Sequence, residues 1–292
     1  MKTILVATDF SDASRNASLY AIEMAKAFNA SLILFNAYQR IPIPVNDSAL
    51  IMASEEMEEV IQRVLEREAK LIYSGNKISI KISCKEGFTS DAILETANET
   101  KADIIIAGMK AMAKGFKKIF GSTVTTLSKK TNIPIIVVPE NIRYTPINTI
   151  AVANESDLAP ETDNDLLYSL RYIAGRFHSK VYIVRVFDDR FSNVHEWSAH
   201  PFQLERMIRT LDPAYERVDG NLIPTALNNF IRGYKVDLLA ILPQKHNFLE
   251  KFFVKSITNT MIFETHAPLL ILPQPARNKL KHKKSQKSAY IK

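Results

Sequence analysis

Residues 107–123, AGMKAMAKGFKKIFGST, hold three of the eight glycines in the chain, Gly108, Gly115 and Gly121. They follow a short apolar run, DIIIA, and lead into a helix-like stretch. Glycine lets backbone come close to a ligand. The first N–H groups of a helix are free, and its dipole is positive there. A loop of this kind can cradle a phosphate. Ser122 can cap the helix or donate to the same phosphate, and Lys110, Lys114, Lys117 and Lys118 add positive charge nearby. Asp9 closes the apolar run TILVA and is placed to accept hydrogen bonds from ribose hydroxyls. Plainer readings stay open. Asp9 can be a turn or N-cap residue in TDFSDAS, and the glycines can simply shape a turn.

These residues need elements to bring them together, and an internal repeat supplies them. Residues 103–139 and 237–273 align without a gap, so that Asp103 meets Asp237, Ser122 meets Ser256, Pro134 meets Pro268, and PIIVVP meets PLLILP. The starts match as well, KTILVATD at 2–9 with NTIAVANE at 148–155. The chain reads as two copies of one unit, 1–141 and 147–276, joined by ENIRYTPIN and followed by a tail, 277–292.

In the first unit, strands are expected near 3–8, 31–37, 77–84, 103–107 and 134–138, and helices near 14–28, 52–73, 89–100 and 121–131. The strands are short and mostly apolar, as when helices cover both faces of a parallel sheet. Leu19, Ile22, Met24, Ala25 and Phe28 carry helical apolar spacing. Strands alternating with helices imply two tandem doubly wound, Rossmann-like α/β domains, each a mostly parallel five-stranded sheet. With strand order 3-2-1-4-5, Asp9 and Gly108 flank the point where order reverses, which is where such sheets bind ligands. The middle of the second unit is expected to hold one helix near 201–211 and a weak strand. PIIVVP and PLLILP read as edge strands, which tend to be paired.

Composition bounds the class. The 292 residues are 46% apolar and 24% charged, ordinary for a globular protein. The net charge of +7 resides in the tail, which carries seven Lys or Arg and no acid; the remainder balances 31 bases against 31 acids. The tail composition predicts an unstructured solubilising extension, or a weak attraction to nucleic acid or an anionic membrane. The single Cys84 cannot form an intramolecular disulfide, and no apolar run nears the roughly 20 residues of a membrane span. A cytoplasmic protein is expected.

ILVATDFSDASRNA, ADIIIAGMKAMAKGFKKIFGS and the closing PIIVVP resemble the universal stress protein family, here with two units in tandem. The family's nucleotide-binding members carry glycine, two residues, glycine, nine residues, then glycine with serine or threonine. Here the first glycine is Gly108, the closing pair is Gly121-Ser122, and the middle position is Ala111. The resemblance implies that Thr8 and Asp9 hold adenosine while Gly108, Gly121, Ser122 and Thr123 hold the phosphates of ATP or another adenine nucleotide, with or without Mg²⁺. It also implies that the last strands pair across a dimer, which a tandem chain can achieve within itself as a pseudo-dimer, with a homodimer as a further step. In the second unit Leu242, Lys245 and Lys255 replace the three glycines and Glu155 stands for Asp9, so that unit has lost the pattern.

Other chemistry is poorly supported. His195 and His200 in HEWSAH, beside Glu196, are too few for a metal site. No HExxH, P-loop lysine or serine–histidine–acid ordering occurs, and no catalytic base can be named. Three readings remain: a nucleotide-binding stress or regulatory protein, a ligand-free scaffold acting through protein contacts, and a slow ATPase.

Overall fold

The computed structural model describes residues 1–39, 47–73, 75, 78–110, 122–153, 167–187, 208–219, 223–241 and 266–272. The first half contributes β1 (Thr3–Ala7), α1 (Asp12–Phe28), β2 (Ser31–Tyr38), α2 (Asp47–Tyr73), β3 (Ile80–Glu86), α3 (Thr89–Glu99), β4 (Ile104–Met109), α4 (Ser122–Lys130) and β5 (Ile135–Pro139). The second contributes β6 (Thr149–Ala153), α5 (Tyr168–Phe177), β7 (Lys180–Phe187), β8 (Ala214–Asp219), α6 (Ile223–Gly233), β9 (Leu238–Ile241) and β10 (Leu269–Ile271).

All ten strands form one sheet, in the order β3-β2-β1-β4-β5-β10-β9-β6-β7-β8. Each half runs 3-2-1-4-5 with parallel pairing throughout. Among the described residues the one antiparallel pairing is at the seam, Leu269↔Val137, Leu270↔Ile136 and Ile271↔Ile135. The strands read from sequence as edges therefore lie at the centre, and the open edges are β3 and β8.

Alternation along the strands sorts the core into two layers. Ile4, Val6, Leu32 and Leu34 face α1 and α2, and the same layer continues under α5. Leu5, Phe35, Ile105 and Val137 face α3 and α4, and that layer continues under α6. Both layers cross the seam, through Ile136 and Leu270 on one face and Val137 and Leu269 on the other. In α1, Ile22, Met24, Ala25 and Phe28 are buried as the spacing implied, but Leu19 is 45% exposed and does not belong to the core.

The repeat has physical causes that can be read residue by residue. Asp103 Oδ2 accepts the backbone N–H groups of Lys2 and Thr3, at 2.5 and 2.9 Å. Asp237 Oδ2 accepts those of Asn148 and Thr149, both at 2.9 Å. Each aspartate thus ties the start of its half's fourth strand to the start of its first. The helix ends match too. Asn29 and His178 cap α1 and α5 in the left-handed region, at φ 51° and 54°, and Lys101 and Lys235 follow α3 and α6 at φ 51° and 50°. These conformations end a helix so that the next strand can start at once.

Several of the expected elements differ, and α2 begins at Asp47 where 52 was expected. β3 covers 80–86 where 77–84 was expected, because its register follows β2 from Leu32↔Ile80 onward. In the second half the strand is present as β8, while the described part of the expected helix, 208–211, ends in a 3₁₀ turn, Arg209–Leu211. The rest of that expectation, 201–207, lies outside the described residues.

Candidate functional site

β1 and β4 are neighbours, with Ala7 opposite Ala107, and strand order reverses between them. Their carboxyl ends bring Thr8 and Asp9 beside Gly108 and Lys110. The chain must turn sharply after β1 to enter α1, and short polar side chains build that turn. Thr8 Oγ1 accepts the N–H of Phe10 at 3.0 Å and lies 3.1 Å from Ser14 Oγ. Asp9 Oδ1 accepts both the N–H and the hydroxyl of Ser11, at 3.1 and 2.5 Å. Ser11 is the N-cap of α1, accepting the Ser14 N–H. Phe10 is held at φ 63°, a conformation costly by roughly 1–2 kcal/mol for a residue with a Cβ. Such outliers persist where the surroundings over-determine them.

Asp9 is an exposed residue, and its second oxygen, Oδ2, accepts no hydrogen bond among the described residues. Burial pushes its carboxyl up, but the Ser11 hydroxyl and N–H, the Ser14 hydroxyl and the charge of Lys110 outweigh that and hold it below its ordinary value. The carboxylate is therefore ionised at neutral pH, with Oδ1 fixed by the turn.

Gly108 has a packing duty of its own. A Cβ there would stand 2.4 Å from the Ala13 carbonyl oxygen and 2.8 Å from the Ser14 nitrogen. The absent side chain lets the first turn of α1 lie directly on the end of β4. Thr123 sits half-buried in the first turn of α4, and Ser122 opens that helix, described in its backbone alone. Gly121, Ala111, Lys114, Lys117 and Lys118 lie outside the described residues, as do Glu155, His195, His200, Leu242, Lys245, Lys255 and Ser256. Among the described residues no three metal-ligating side chains converge.

One residue of this rim escaped the sequence reading. Asn36, near the end of β2, is 7% exposed and donates its Nδ2 to the Thr8 carbonyl at 2.8 Å. Its signal was present: a polar residue inside the run SLILFNAY, in a strand otherwise buried on both faces.

An open doubly wound α/β sheet with an acid and a base at its order reversal is the class of protein this arrangement defines. Residues 1–139 match the model of the universal stress protein family. The chain is 27% identical over 164 residues to the stress response protein NhaX of Bacillus subtilis, covering 46% of this chain and 96% of that one. It is 28% identical over 138 residues to the universal stress protein Sll1654 of Synechocystis, covering 47% and 85%. A universal stress protein of Archaeoglobus fulgidus, solved by crystallography, shares the fold over 93% of this chain and 98% of its own, with a TM-score of 0.65 and 14% identity.

Proposed function

We propose that the first half binds an adenine nucleotide of the ATP type, with or without Mg²⁺, and that the chain acts as a stress-response or regulatory protein in the cytoplasm. The observation that carries this reading is Asp9, a carboxylate at the switch point whose Oδ1 is anchored to the helix cap. A diol is recognised well by such a fixed acceptor. Lys110 and the amino end of α4, with Ser122 and Thr123, supply the positive side that phosphates need. The stress role is carried over from the names of the relatives. In this reading the chain divides into 1–141, 147–276 and a basic tail, 277–292, and its two units form an intramolecular pseudo-dimer through β5 and β10. A homodimer of whole chains is a further step of the same kind.

A second reading has a specific observation in its favour. Gly108 is required by the packing of α1, whether or not a phosphate ever visits, and Asp9 Oδ1 builds a turn. A ligand-free scaffold acting through protein contacts would keep both. A slow ATPase would further need a base, and none is identified among the described residues of the rim. Calorimetric titration of ATP with Mg²⁺ into the full chain, beside Gly121→Val, separates these readings. Micromolar binding at about one site per chain, lost in the variant, supports the nucleotide site. No heat and no thermal shift up to millimolar ATP gives the scaffold reading its place.

A further inference from the structure

Asn36 carries more than a strand position. We propose that its amide reads the base of the bound nucleotide, selecting a purine with an amino group at position 6 over one with a keto oxygen there. The inference rests on the nucleotide reading above and adds a specificity residue to it.

An amide has one donor group and one acceptor, and it can turn over to exchange them. Here it cannot. The Thr8 carbonyl is an acceptor and takes the Nδ2 donor at 2.8 Å, which fixes Nδ2 on that side and Oδ1 on the other. Thr8 is itself held, its N–H donating to Phe35 O at 2.8 Å and its hydroxyl committed within the turn. Oδ1 accepts no hydrogen bond among the described residues. Asn36 therefore presents a carbonyl oxygen, in a fixed orientation, at the carboxyl end of β2. That end neighbours β1, whose Asp9 is the proposed ribose partner.

A locked acceptor discriminates by sign. An exocyclic amine donates to it, while a keto oxygen faces it lone pair to lone pair and must lose a water to do so. Sites built to pair one hydrogen-bonding group reject the analogue that lacks it. The second half has no counterpart, because the register that pairs Ala7 with Phe35 pairs Ala153 with Val184 and puts Arg185 where Asn36 stands.

ATP and ITP differ at position 6 alone, so the test compares them. Each is titrated with Mg²⁺ into the full chain, wild type, Asn36→Ala and Asn36→Ser. Serine keeps a hydroxyl that can serve the Thr8 carbonyl, so that one variant stays folded if alanine does not, and thermal unfolding confirms it. Wild type is expected to bind ATP about tenfold more tightly than ITP, on the scale of one hydrogen bond made or opposed. The variants are expected to bring the ratio to within about twofold, by weakening ATP rather than by strengthening ITP. Equal wild-type affinities would overturn the proposal and leave the nucleotide site standing. A preference for ATP that persists in both variants would do the same. If neither nucleotide binds to wild type, this proposal and the nucleotide reading fall together.

Discussion

Replacing Gly108 by alanine tests the link between the fold and the rim. The added Cβ would meet Ala13 O at 2.4 Å, Ala13 C at 2.5 Å and Ser14 N at 2.8 Å. Comfortable separations begin near 3.5 Å, so α1 must back away by about 1 Å. All three contacts are backbone, and no side chain can swing aside to absorb them. The retreat loosens Ala13 and Ala17, which are 2% and 0% exposed. Overpacking of this kind costs about 1–3 kcal/mol where side chains can yield, and a rigid backbone obstacle sets the expectation at the top, about 3 kcal/mol. For a chain of this size that lowers the melting temperature by roughly 6–12 °C. Gly175 is the control. It lies in α5, and a Cβ there would meet nothing within 4 Å. Gly175→Ala is expected to stabilise by about 0.5–1 kcal/mol, through helix propensity alone. Urea unfolding of both variants, with the slope compared to wild type, reads the two effects. One chemical change with opposite signs at two sites separates packing from propensity. A Gly108→Ala protein within about 0.5 kcal/mol of wild type would refute the packing argument and return the glycine to the phosphate.

Three other outcomes follow from the same geometry. Asp103→Ala and Asp237→Ala each strand a pair of backbone N–H groups and are expected to cost about 1–2 kcal/mol, equal within about 0.5 kcal/mol; unequal costs in urea unfolding would count against equivalent clamps. The Tyr20 hydroxyl is buried with no hydrogen-bond partner, so Tyr20→Phe is expected to stabilise by about 1 kcal/mol, and a loss in melting temperature would show that the hydroxyl has a partner after all. Asp9 is held below its ordinary 3.8 in the folded state, so its contribution is present above that value and is lost as pH falls through the folded-state value. The stability gap between wild type and Asp9→Asn is therefore expected to be open at neutral pH and to close in acid, and a gap independent of pH in thermal unfolding speaks against an ionised Asp9 in the turn.

The layers of this fold were legible because burial imposes periods. Strands such as β1 and β4 are covered on both faces and carry runs of apolar side chains, Ile4 to Val6 and Ile104 to Ile106, and α1 shows its inward side at Ile22, Met24 and Phe28. The repeat was legible because the same closure problem was solved twice with the same residue types, Asp103 and Asp237 at one end and Pro134 and Pro268 before the last strands. Leu19 misled because apolar spacing gives a helix two flanks, and only the neighbours decide which flank is covered. Gly108 was ambiguous for a different reason: a glycine that admits a ligand and a glycine that admits a helix look alike until the helix is placed. Asn36 was passed over because one polar residue in a strand reads as an interruption, and its partner, the Thr8 carbonyl, is a backbone atom that sequence cannot single out.

A half without the glycine pattern of the first still has work to do in this molecule, and α1 shows what it is. The helix begins in the rim, with Ser11 and Ser14 building the turn that holds Asp9. Two residues on, Asn16 is 3% exposed and donates Nδ2 to Pro139 O and Ile142 O, at 2.9 and 2.7 Å, while Arg143 donates to its Oδ1. Glu140 N donates to Met109 O at 2.9 Å, so the same linker also holds the end of β4. Further along, Tyr20 meets Tyr144 edge to face, and Phe28 packs on Tyr172 and Phe177 of α5, with Arg176 donating to Ala27 O at 2.6 Å. Beneath it, β10 pairs with β5, whose outer edge would otherwise be open to any other strand. Removing the second half would expose that edge, two aromatic contacts worth about 0.5–1.5 kcal/mol each and part of a continuous core. The rim is built on one half, but the helix and strand that carry it are finished by the other. That is reason enough for the second unit to keep its strands and helices while its loop residues change.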